Sequence, residues 1–424
     1  MALTRREFIQ WLSASAGITA ITGCATTNGG ASAGRVVVIG GGYAGATAAK
    51  YLRLWSPDIG VTLVERNPAF VSCPMSNLVL GGHARIEDLT VSYEGLRNRG
   101  VKVQRDEALA IDSAKRQVRL ASGTMLEYDR LIVAPGVDFL LDGIPGLKSA
   151  DAQNRVLHAW KAGPQTVALR RQLESMRDGG VFVFHIPMAP YRCPPGPYER
   201  VCQVADYFKR AKPRSKIIVL DSNPDITSKK GLFLQSWNGP YQGMIDYRPN
   251  SELQDVDVKN TTVKLTFDDV KGDVLNVVPP HRAGDIALRA GLINANQRWC
   301  NIDWLTCEST AVKGIHVLGD ATLSASAMPK SGSMANQHGK ICAAAVIALL
   351  KGGTVPANPV IMNTCYSMVD GRSAMHVTSI HKYDPAQKTM VAVKGAGGVS
   401  PKASELEGTY AWGWARNIWS DSLA

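Results

Sequence analysis

Residues 35–45 read Arg-Val-Val-Val-Ile-Gly-Gly-Gly-Tyr-Ala-Gly, and this stretch decides the fold. Four consecutive branched residues, Val36 to Ile39, predict a short strand buried on both faces. A helical pattern follows from Ala46 to Arg53, and its N-terminus can bind phosphates. Between strand and helix, three glycines permit a tight turn, the approach of a pyrophosphate and close helix–strand packing, in the order Gly40, Gly42 and Gly45.

A second predicted strand, Val61 to Val64, ends in Glu65, twenty residues after Gly45. An acidic side chain at this position can accept hydrogen bonds from a ribose 2′-hydroxyl. An ordinary glycine turn would need neither the flanking strand and helix nor this carboxylate. The pattern therefore favours a dinucleotide-binding domain.

Composition excludes several other classes of protein. The chain has 424 residues and a net charge of +11, which is spread along the sequence without a basic run that alternates with aromatic residues. We therefore expect two or three domains and no binding of nucleic acid. The eight cysteines form no C-x-x-C pair and no zinc spacing, so we expect no metal site. Beyond the N-terminus no run of 18 apolar residues occurs, so we expect no transmembrane segment in the mature chain.

The first 33 residues have the pattern of an export signal. Residues 4–9 contain the pair Arg5-Arg6 and resemble a twin-arginine motif, and residues 31–33 offer an Ala-x-Ala cleavage site. This predicts a periplasmic protein that is exported folded, with its cofactor bound. Residues 21–24 also resemble a lipobox, which would make Cys24 a lipid anchor. We favour the Ala-x-Ala site because it lies closer to the first strand.

The remaining pattern predicts an α/β fold with two Rossmann-like dinucleotide-binding domains, as in glutathione reductase, and a C-terminal α+β domain. The FAD-binding domain is expected to be discontinuous, from residues 34–150 and 271–355. The second Rossmann-like domain is expected at 151–270 and the C-terminal domain at 356–424. Residues 128–136 support this organisation because they resemble the strand-to-turn segment of flavoproteins with two dinucleotide domains; the cofactor contacts expected there are Ala134 and Gly136.

The second Rossmann-like domain has an unusual turn after its first strand. Residues 187–197 contain five prolines and one glycine. Proline has no N–H group, and its ring prevents the close approach that a pyrophosphate needs. We therefore predict that this domain has lost its nicotinamide site and that electrons enter or leave by another route.

Two later segments predict further flavin contacts. Residues 315–321 form a strand that ends in Gly319-Asp320, which resembles the second FAD motif of these flavoproteins, where the aspartate binds the ribityl chain. A helix is predicted from about Ser333 to Leu350, with its N-terminus toward the flavin pyrimidine ring. Lys330, just before it, could stabilise negative charge there. A solvated loop lysine is the open alternative.

Four segments together resemble the flavoprotein subunit of flavocytochrome c sulfide dehydrogenase, a relative of sulfide:quinone oxidoreductase; they are residues 70–77, 191–199, 328–332 and 363–366. The resemblance implies FAD bound covalently through Cys73 and a redox disulfide between Cys193 and Cys365. It also implies a carboxylate near that disulfide, Glu199, and a c-type cytochrome subunit as partner. The chain has no C-x-x-C-H haem site of its own.

The expected function is periplasmic, FAD-dependent oxidation of sulfide to sulfur or polysulfide, with electrons passed to the cytochrome in a heterodimer. Three alternatives stay open: oxidation of a persulfide or thiol, quinone as the acceptor, and an electron-transfer flavoprotein whose cysteines are structural. Quinone reduction would require a membrane-inserting tail, which residues 408–424 do not resemble.

The C-terminal part is predicted to hold three alternating strands near residues 366–395 and a tail, residues 410–419, that packs as core. That tail contains three of the nine tryptophans. Of the other cysteines, Cys300 and Cys307 are close enough in sequence to bridge, and Cys342 is expected to pack in a helix. Cys202 has no predicted role.

Overall fold

The structure is a computed structural model, and it describes residues 33–424. The predicted twin-arginine motif and Cys24 lie outside the described residues. Within them, no helix is long and apolar enough to cross a membrane.

The first sheet is parallel and forms the dinucleotide-binding domain predicted from residues 35–65. Its strands, in order across the sheet, are Ile315–Val317, Arg130–Val133, Gly34–Ile39, Ile59–Glu65 and Lys102–Arg105. Val36, Val37 and Val38 are at most 2% exposed, as expected for a strand covered on both faces. The carboxyl ends of these strands meet at one edge, where ligands of such sheets bind.

The second sheet is also parallel. Its order is Ile245–Arg248, Lys216–Asp221, Val181–Ile186 and Val274–Val277. The strand Val274–Val277 pairs with Val181–Ile186, so this sheet extends past residue 270, where the sequence pattern placed the boundary. The strand lies beyond that boundary because the chain returns to the second sheet before it rejoins the first.

The third sheet is antiparallel and consists of Val360–Met368, Ala374–Asp384 and Thr389–Val399. It begins earlier than predicted, so residues 363–367 lie within its first strand rather than before it. The buried face of that strand carries Asn363, Cys365 and Ser367, and these polar residues concealed the alternation in the sequence.

The helices and smaller strands connect and cover these sheets. The helices are Tyr43–Trp55, Asn77–Gly81, Glu94–Asn98, Ala150–Arg155, Pro164–Ser175, Gly196–Ala211, Lys230–Asn238, Asp285–Arg289, Gly332–Lys351 and Glu405–Leu423. Short 3₁₀ turns occur at Ile86–Leu89, Pro145–Leu147 and Gly319–Ala321. The remaining strands are Phe70–Val71, Thr90–Val91, Ala108–Asp112, Gln117–Leu120, Met125–Glu127, Val137–Phe139, Leu253–Asp257, Thr262–Leu265, Asp269–Lys271 and His281–Ala283. Two parallel sheets and a C-terminal α+β unit confirm the predicted fold class.

Candidate active site

The turn after the first strand, residues 40–45, is here called the glycine turn. Gly40 has a φ of +98°, and a Cβ added there would overlap the carbonyl of Ala134. A Cβ on Gly45 would overlap the carbonyl of Gly40, so Gly45 allows the helix to pack against the turn. A Cβ on Gly42 would meet no atom within 4 Å. The turn is therefore crowded at its two ends and open in its middle, where a pyrophosphate would lie.

The glycine turn borders a cavity of about 390 Å³, here called the dinucleotide cavity. The sequence-predicted cofactor contacts line it: Gly40, Gly42, Glu65, Cys73, Ala134, Gly136, Gly319 and Asp320. Gly45 lies behind the turn and acts through packing. Gly136 has a φ of +64° and open space beside it, so its turn also leaves room for a ligand.

Two carboxylates in this cavity have different surroundings. Glu65 accepts hydrogen bonds from the backbone N–H groups of Gly41 at 2.7 Å and Asn67 at 2.8 Å, so it holds the glycine turn. The carboxylate of Asp320 has no hydrogen-bond partner among residues 33–424, and burial raises its pKa. A buried acceptor of this kind that faces a cavity fits the hydroxyls of a bound ribityl chain. The described residues therefore fit FAD.

The helix Gly332–Lys351 begins at the edge of the dinucleotide cavity, as predicted. Ser331 is its N-cap and accepts a hydrogen bond from the N–H of Met334 at 3.1 Å. Gly332 and Ala335 line the cavity. The positive end of the helix dipole thus points toward the place of a bound flavin.

The turn after the first strand of the second sheet, residues 187–197, is here called the proline turn, and it positions a cysteine. Cys193 has a φ of +60°, its N–H donates to the carbonyl of Lys330 at 2.8 Å, and its carbonyl accepts from the N–H of Gly196 at 2.9 Å. A Cβ on Gly196 would lie 2.9 Å from the Cys193 sulfur, so the glycine leaves room for that side chain.

A second, smaller cavity of about 70 Å³ lies next to the proline turn and is here called the cysteine cavity. It brings together Cys73, Cys193, Cys365 and Glu199, which come from three separate parts of the chain. Cys73 lines both cavities, and its sulfur accepts a hydrogen bond from the N–H of Ala162 at 3.4 Å. The two cavities therefore meet at Cys73.

All seven cysteines among residues 33–424 are free thiols in the structure. Burial raises the pKa of the Cys193 thiol, and the nearby Cys365 and Glu199 raise it further. Burial also raises the pKa of Cys365, whose thiol donates to the Asn363 side chain at 3.3 Å, while the charge of Lys229 lowers that pKa. The disulfide between Cys193 and Cys365 stays a prediction, which their shared cavity makes sterically reasonable.

Glu199 lies in the first turn of the helix Gly196–Ala211 and is 6% exposed. Burial raises its pKa to about 7, although the N–H of Met368 donates to its carboxylate at 3.2 Å. A carboxyl group with this pKa exchanges a proton readily near neutral pH.

Lys330 contacts the site through its backbone, because its carbonyl accepts from Cys193. Its ammonium group donates to the carbonyls of Asp320, at 3.1 Å, and Thr322, and lies 3.7 Å from the centre of the Trp299 ring. It is 5% exposed, so the solvated-loop alternative is wrong. Burial lowers its pKa to about 8.

Two buried cations near the cysteine cavity, Arg200 and Lys229, were not predicted from the sequence. Arg200 is 2% exposed and donates to Asn77, His158, Ala159 and Asn276. It lies beside Glu199 on a helix whose first three turns are buried, and nothing in the local sequence distinguishes it from a surface charge. Lys229, 9% exposed, precedes the helix Lys230–Asn238, and nothing in the local sequence indicated its burial.

The remaining predictions concern cysteines and the tryptophan-rich tail. Cys342 is fully buried in its helix, as predicted, and its thiol contacts Cys307. Cys300 is a buried free thiol. In the C-terminal helix, Trp419 packs in the core and donates to the Tyr43 hydroxyl at 3.1 Å, whereas Trp414 lines the cysteine cavity.

Three family models match the chain. A model of the sulfide dehydrogenase (flavocytochrome c) flavoprotein chain, central part, matches residues 166–279. A model of the flavin-binding part of flavocytochrome c sulphide dehydrogenase matches residues 357–423. A model of pyridine nucleotide-disulphide oxidoreductases matches residues 34–173.

Individual relatives agree with these models. The chain is 64% identical over 45 residues to the flavoprotein chain of sulfide dehydrogenase (flavocytochrome c) from Chlorobaculum thiosulfatiphilum, a match that covers 11% of this chain and 94% of that relative. It is 22% identical over 301 residues to the mitochondrial sulfide:quinone oxidoreductase of Dictyostelium discoideum, and this match covers 68% of the chain and 65% of that relative's length.

A solved structure shows the same fold. The sulfide:quinone oxidoreductase of Aquifex aeolicus aligns with a TM-score of 0.74 at 18% identity, over 92% of this chain and 91% of that one. The sequence-based prediction of a flavoprotein oxidoreductase is confirmed by these matches together. The chain belongs to the family of the flavoprotein chains of flavocytochrome c sulfide dehydrogenase.

Proposed function

We propose that this protein oxidises sulfide to sulfur or polysulfide in the periplasm, through a redox disulfide between Cys193 and Cys365, and passes the electrons from FAD to a c-type cytochrome. The observation that carries the proposal is the junction of the two cavities at Cys73. One cavity is suited to a dinucleotide, and the other holds two cysteines and a carboxyl group that titrates near neutral pH.

The first step uses only groups of this chain and the substrate. A hydrosulfide ion attacks one sulfur of the disulfide, the bond between the two cysteines breaks, and a new sulfur–sulfur bond forms. One cysteine becomes a persulfide and the other leaves as a thiolate. We assign Cys365 as the thiolate, because the ammonium group of Lys229 contacts the backbone carbonyl of Cys365 at 3.2 Å.

Glu199 handles the proton that accompanies this step. Its pKa of about 7 allows the carboxylate to accept the proton of the persulfide and to release it afterwards. A second hydrosulfide can then attack the outer sulfur of the persulfide and leave with it as polysulfide. The cysteine pair thereby remains as two reduced groups, ready to be oxidised again.

FAD, when bound, would supply the two-electron oxidation of the cysteine pair and the one-electron reduction of the cytochrome. The glycine turn, Glu65 and Asp320 would hold its dinucleotide and ribityl parts. The helix that begins at Gly332, together with the ammonium of Lys330, would stabilise negative charge near the ring. We further propose a thioether between Cys73 and the flavin, supported by the position of Cys73 at both cavities.

The decisive test is flavin reduction by sulfide without oxygen. In Cys193→Ser and Cys365→Ser, sulfide should no longer bleach the flavin. Both variants should still fold and contain the yellow flavin. Cys202→Ser is the matched control, because Cys202 is buried on the same helix as Glu199 and lines neither cavity. Turnover at the wild-type level in either of the first two variants would reject the disulfide mechanism.

Two further measurements address the cofactor linkage and the acceptor. After acid denaturation the flavin should stay with the wild-type polypeptide and be released from Cys73→Ala. The sulfide-reduced protein should be reoxidised by a c-type cytochrome and not by a soluble quinone. Reoxidation by the quinone alone would replace the proposed acceptor.

A further inference from the structure

Lys229 places a positive charge against the strand that carries Cys365. Its ammonium group donates to the carbonyl of Cys365 at 3.2 Å, the hydroxyl of Ser367 at 2.7 Å and the carbonyl of Met375 at 3.4 Å. The backbone of Lys229 has a φ of +53°, and the residue is 9% exposed. All three acceptors are uncharged, so they solvate the ammonium group without neutralising it.

The geometry of the strand brings this charge close to the sulfur. Cys365 and Ser367 are two residues apart in the strand Val360–Met368, so their side chains project from the same face of the sheet. An ammonium group that contacts the Ser367 hydroxyl and the Cys365 carbonyl therefore lies within about 7 Å of the Cys365 sulfur. A buried cation without a directly bound anion is costly unless a negative charge forms nearby.

We propose that Lys229 is a positioning residue that stabilises the negative charge on Cys365 when the disulfide opens. The inference rests on the proposed function, because it assigns the leaving thiolate to Cys365. In the resting protein the ammonium group is held by neutral dipoles. When the bond between Cys193 and Cys365 breaks, the charge on the leaving sulfur compensates the buried cation, and this favours the opened state.

Some of the other charged groups around Cys193 and Cys365 favour a negative charge on these sulfurs, and others oppose it. Glu199 faces both cysteines and opposes negative charge on them, and Arg192, beside Cys193, favours it. Glu199 and Glu407 both act on Lys229 through space and favour its charged form. Burial lowers the pKa of Lys229 to about 8, so the group keeps its charge at neutral pH. Lys229 acts on both cysteines and directly contacts the strand that carries Cys365, whereas Arg192 acts on Cys193.

The experiment measures how fast a small thiol reagent, iodoacetamide, labels Cys365 as a function of pH. The full-length Cys193→Ser protein is used so that Cys365 is free, and labelling is followed by mass spectrometry of the peptide that contains it. Lys229→Met should slow labelling at neutral pH about tenfold and shift the profile toward higher pH. Lys229→Arg should keep most of the rate, since it keeps the charge.

Two variants separate charge from structure. Lys229→Gln keeps hydrogen-bond donors but carries no charge, so Cys365 should be labelled as slowly in this variant as in Lys229→Met. Lys230→Met is the matched control, because Lys230 is exposed and pairs with Asp225 on the surface. A wild-type rate in Lys229→Gln would overturn the proposal, and this holds even if Lys229→Met fails to fold.

A second measurement distinguishes failure of this proposal from failure of the proposed function. With both cysteines present, Lys229→Gln should slow flavin reduction by sulfide, and Lys229→Arg should not. If sulfide does not reduce the wild-type flavin although the labelling profile shifts, the proposed function fails and the electrostatic role of Lys229 stands. If sulfide reduces the flavin and labelling is unchanged in Lys229→Gln, the role of Lys229 fails alone.

Discussion

The glycine turn of the first sheet and the proline turn of the second occupy the same place in their domains, between the first strand and the helix that follows it. Around the glycine turn, Gly42 leaves open space and the strand end at Glu65 faces the dinucleotide cavity. Around the proline turn, the space holds Cys193. The same α/β unit thus borders the dinucleotide cavity in one domain and positions Cys193 beside the cysteine cavity in the other.

The acidic residues at the ends of the second strands show the same contrast. Glu65 is partly exposed and borders the dinucleotide cavity. Asp221 is fully buried, and its carboxylate accepts from the hydroxyls of Tyr198 at 2.8 Å and Tyr247 at 2.9 Å. Because Tyr198, Tyr247 and Asn223 all donate to its carboxylate, Asp221 serves the core of its domain. Equivalent positions in the two domains therefore have different roles.

The largest effect is expected where the glycine turn is most crowded. Gly45→Val should prevent folding or cost more than about 5 kcal/mol, because its side chain would overlap the Gly40 carbonyl. Gly42→Ala is the control: it should fold normally and bind FAD more weakly, since its Cβ would enter the open part of the turn. Soluble yield, urea unfolding and flavin content measure both. A stable, flavin-loaded Gly45→Val protein would contradict this account of the turn.

Truncation of the two acidic residues should have different effects. Asp221 should matter mainly for stability, and Glu65 mainly for FAD binding. Asp221→Ala should lower the unfolding free energy by about 4 kcal/mol, because the buried hydroxyl of Tyr198 and the partly buried hydroxyl of Tyr247 lose their acceptor. Glu65→Ala should lower it by only about 1 kcal/mol and weaken FAD binding at least about tenfold. FAD binding is measured in a Cys73→Ala background, so that any covalent linkage does not mask affinity. Equal losses of stability in both variants would remove the contrast between the two domains.

A pH-dependent effect of intermediate size is expected from Glu199, which follows the proline turn. Its pKa is raised by burial from 4.5 to about 7, so its stabilising contribution is complete below pH 4.5 and is lost as the pH rises through 7. Between these pH limits the unfolding free energy of the wild type should therefore fall, relative to that of Glu199→Gln, by on the order of 3 kcal/mol. Urea unfolding at several pH values measures this difference. Glu94→Gln, on the surface, should show no such trend; a flat difference for Glu199→Gln would mean that the carboxyl is not buried as described.

The parts of this protein that the sequence predicted well are those determined by neighbouring residues. The glycine turn, its strand and helix, and the position of Glu65 beside that turn depend on local spacing. The five prolines of the second turn are an equally local signal, and the loss of a pyrophosphate site that they indicate stays a prediction. Asp320 followed from a strand that ends in Gly-Asp. Local patterns of this kind determine where backbone and cofactor meet.

The parts that escaped prediction depend on contacts between distant segments. Lys229 gains its role only because the strand that holds Cys365 packs over it, and no local pattern indicates this. The contacts of the Lys330 ammonium with the Trp299 ring and with the carbonyls of Asp320 and Thr322 are likewise set by tertiary packing. Cys193 and Cys365 were paired by family resemblance alone, since sequence spacing does not determine which cysteines meet.

The smallest expected effect is the response to reduced nicotinamide nucleotides, which tests the contrast between the two turns most directly. In the proline turn five residues have no N–H group, and the N–H groups of Arg192 and Cys193 donate to other parts of the protein. The carboxylate of Asp221 is occupied by two tyrosines. Adding NADH or NADPH without oxygen should therefore leave the flavin spectrum unchanged over the time in which sulfide bleaches it completely. The Asp221→Ala variant is a sharper test. Even after the tyrosines lose this carboxylate, NADH and NADPH should not bind while the prolines remain. Rapid bleaching of the wild type by NADH would show that the second domain retains a nicotinamide site.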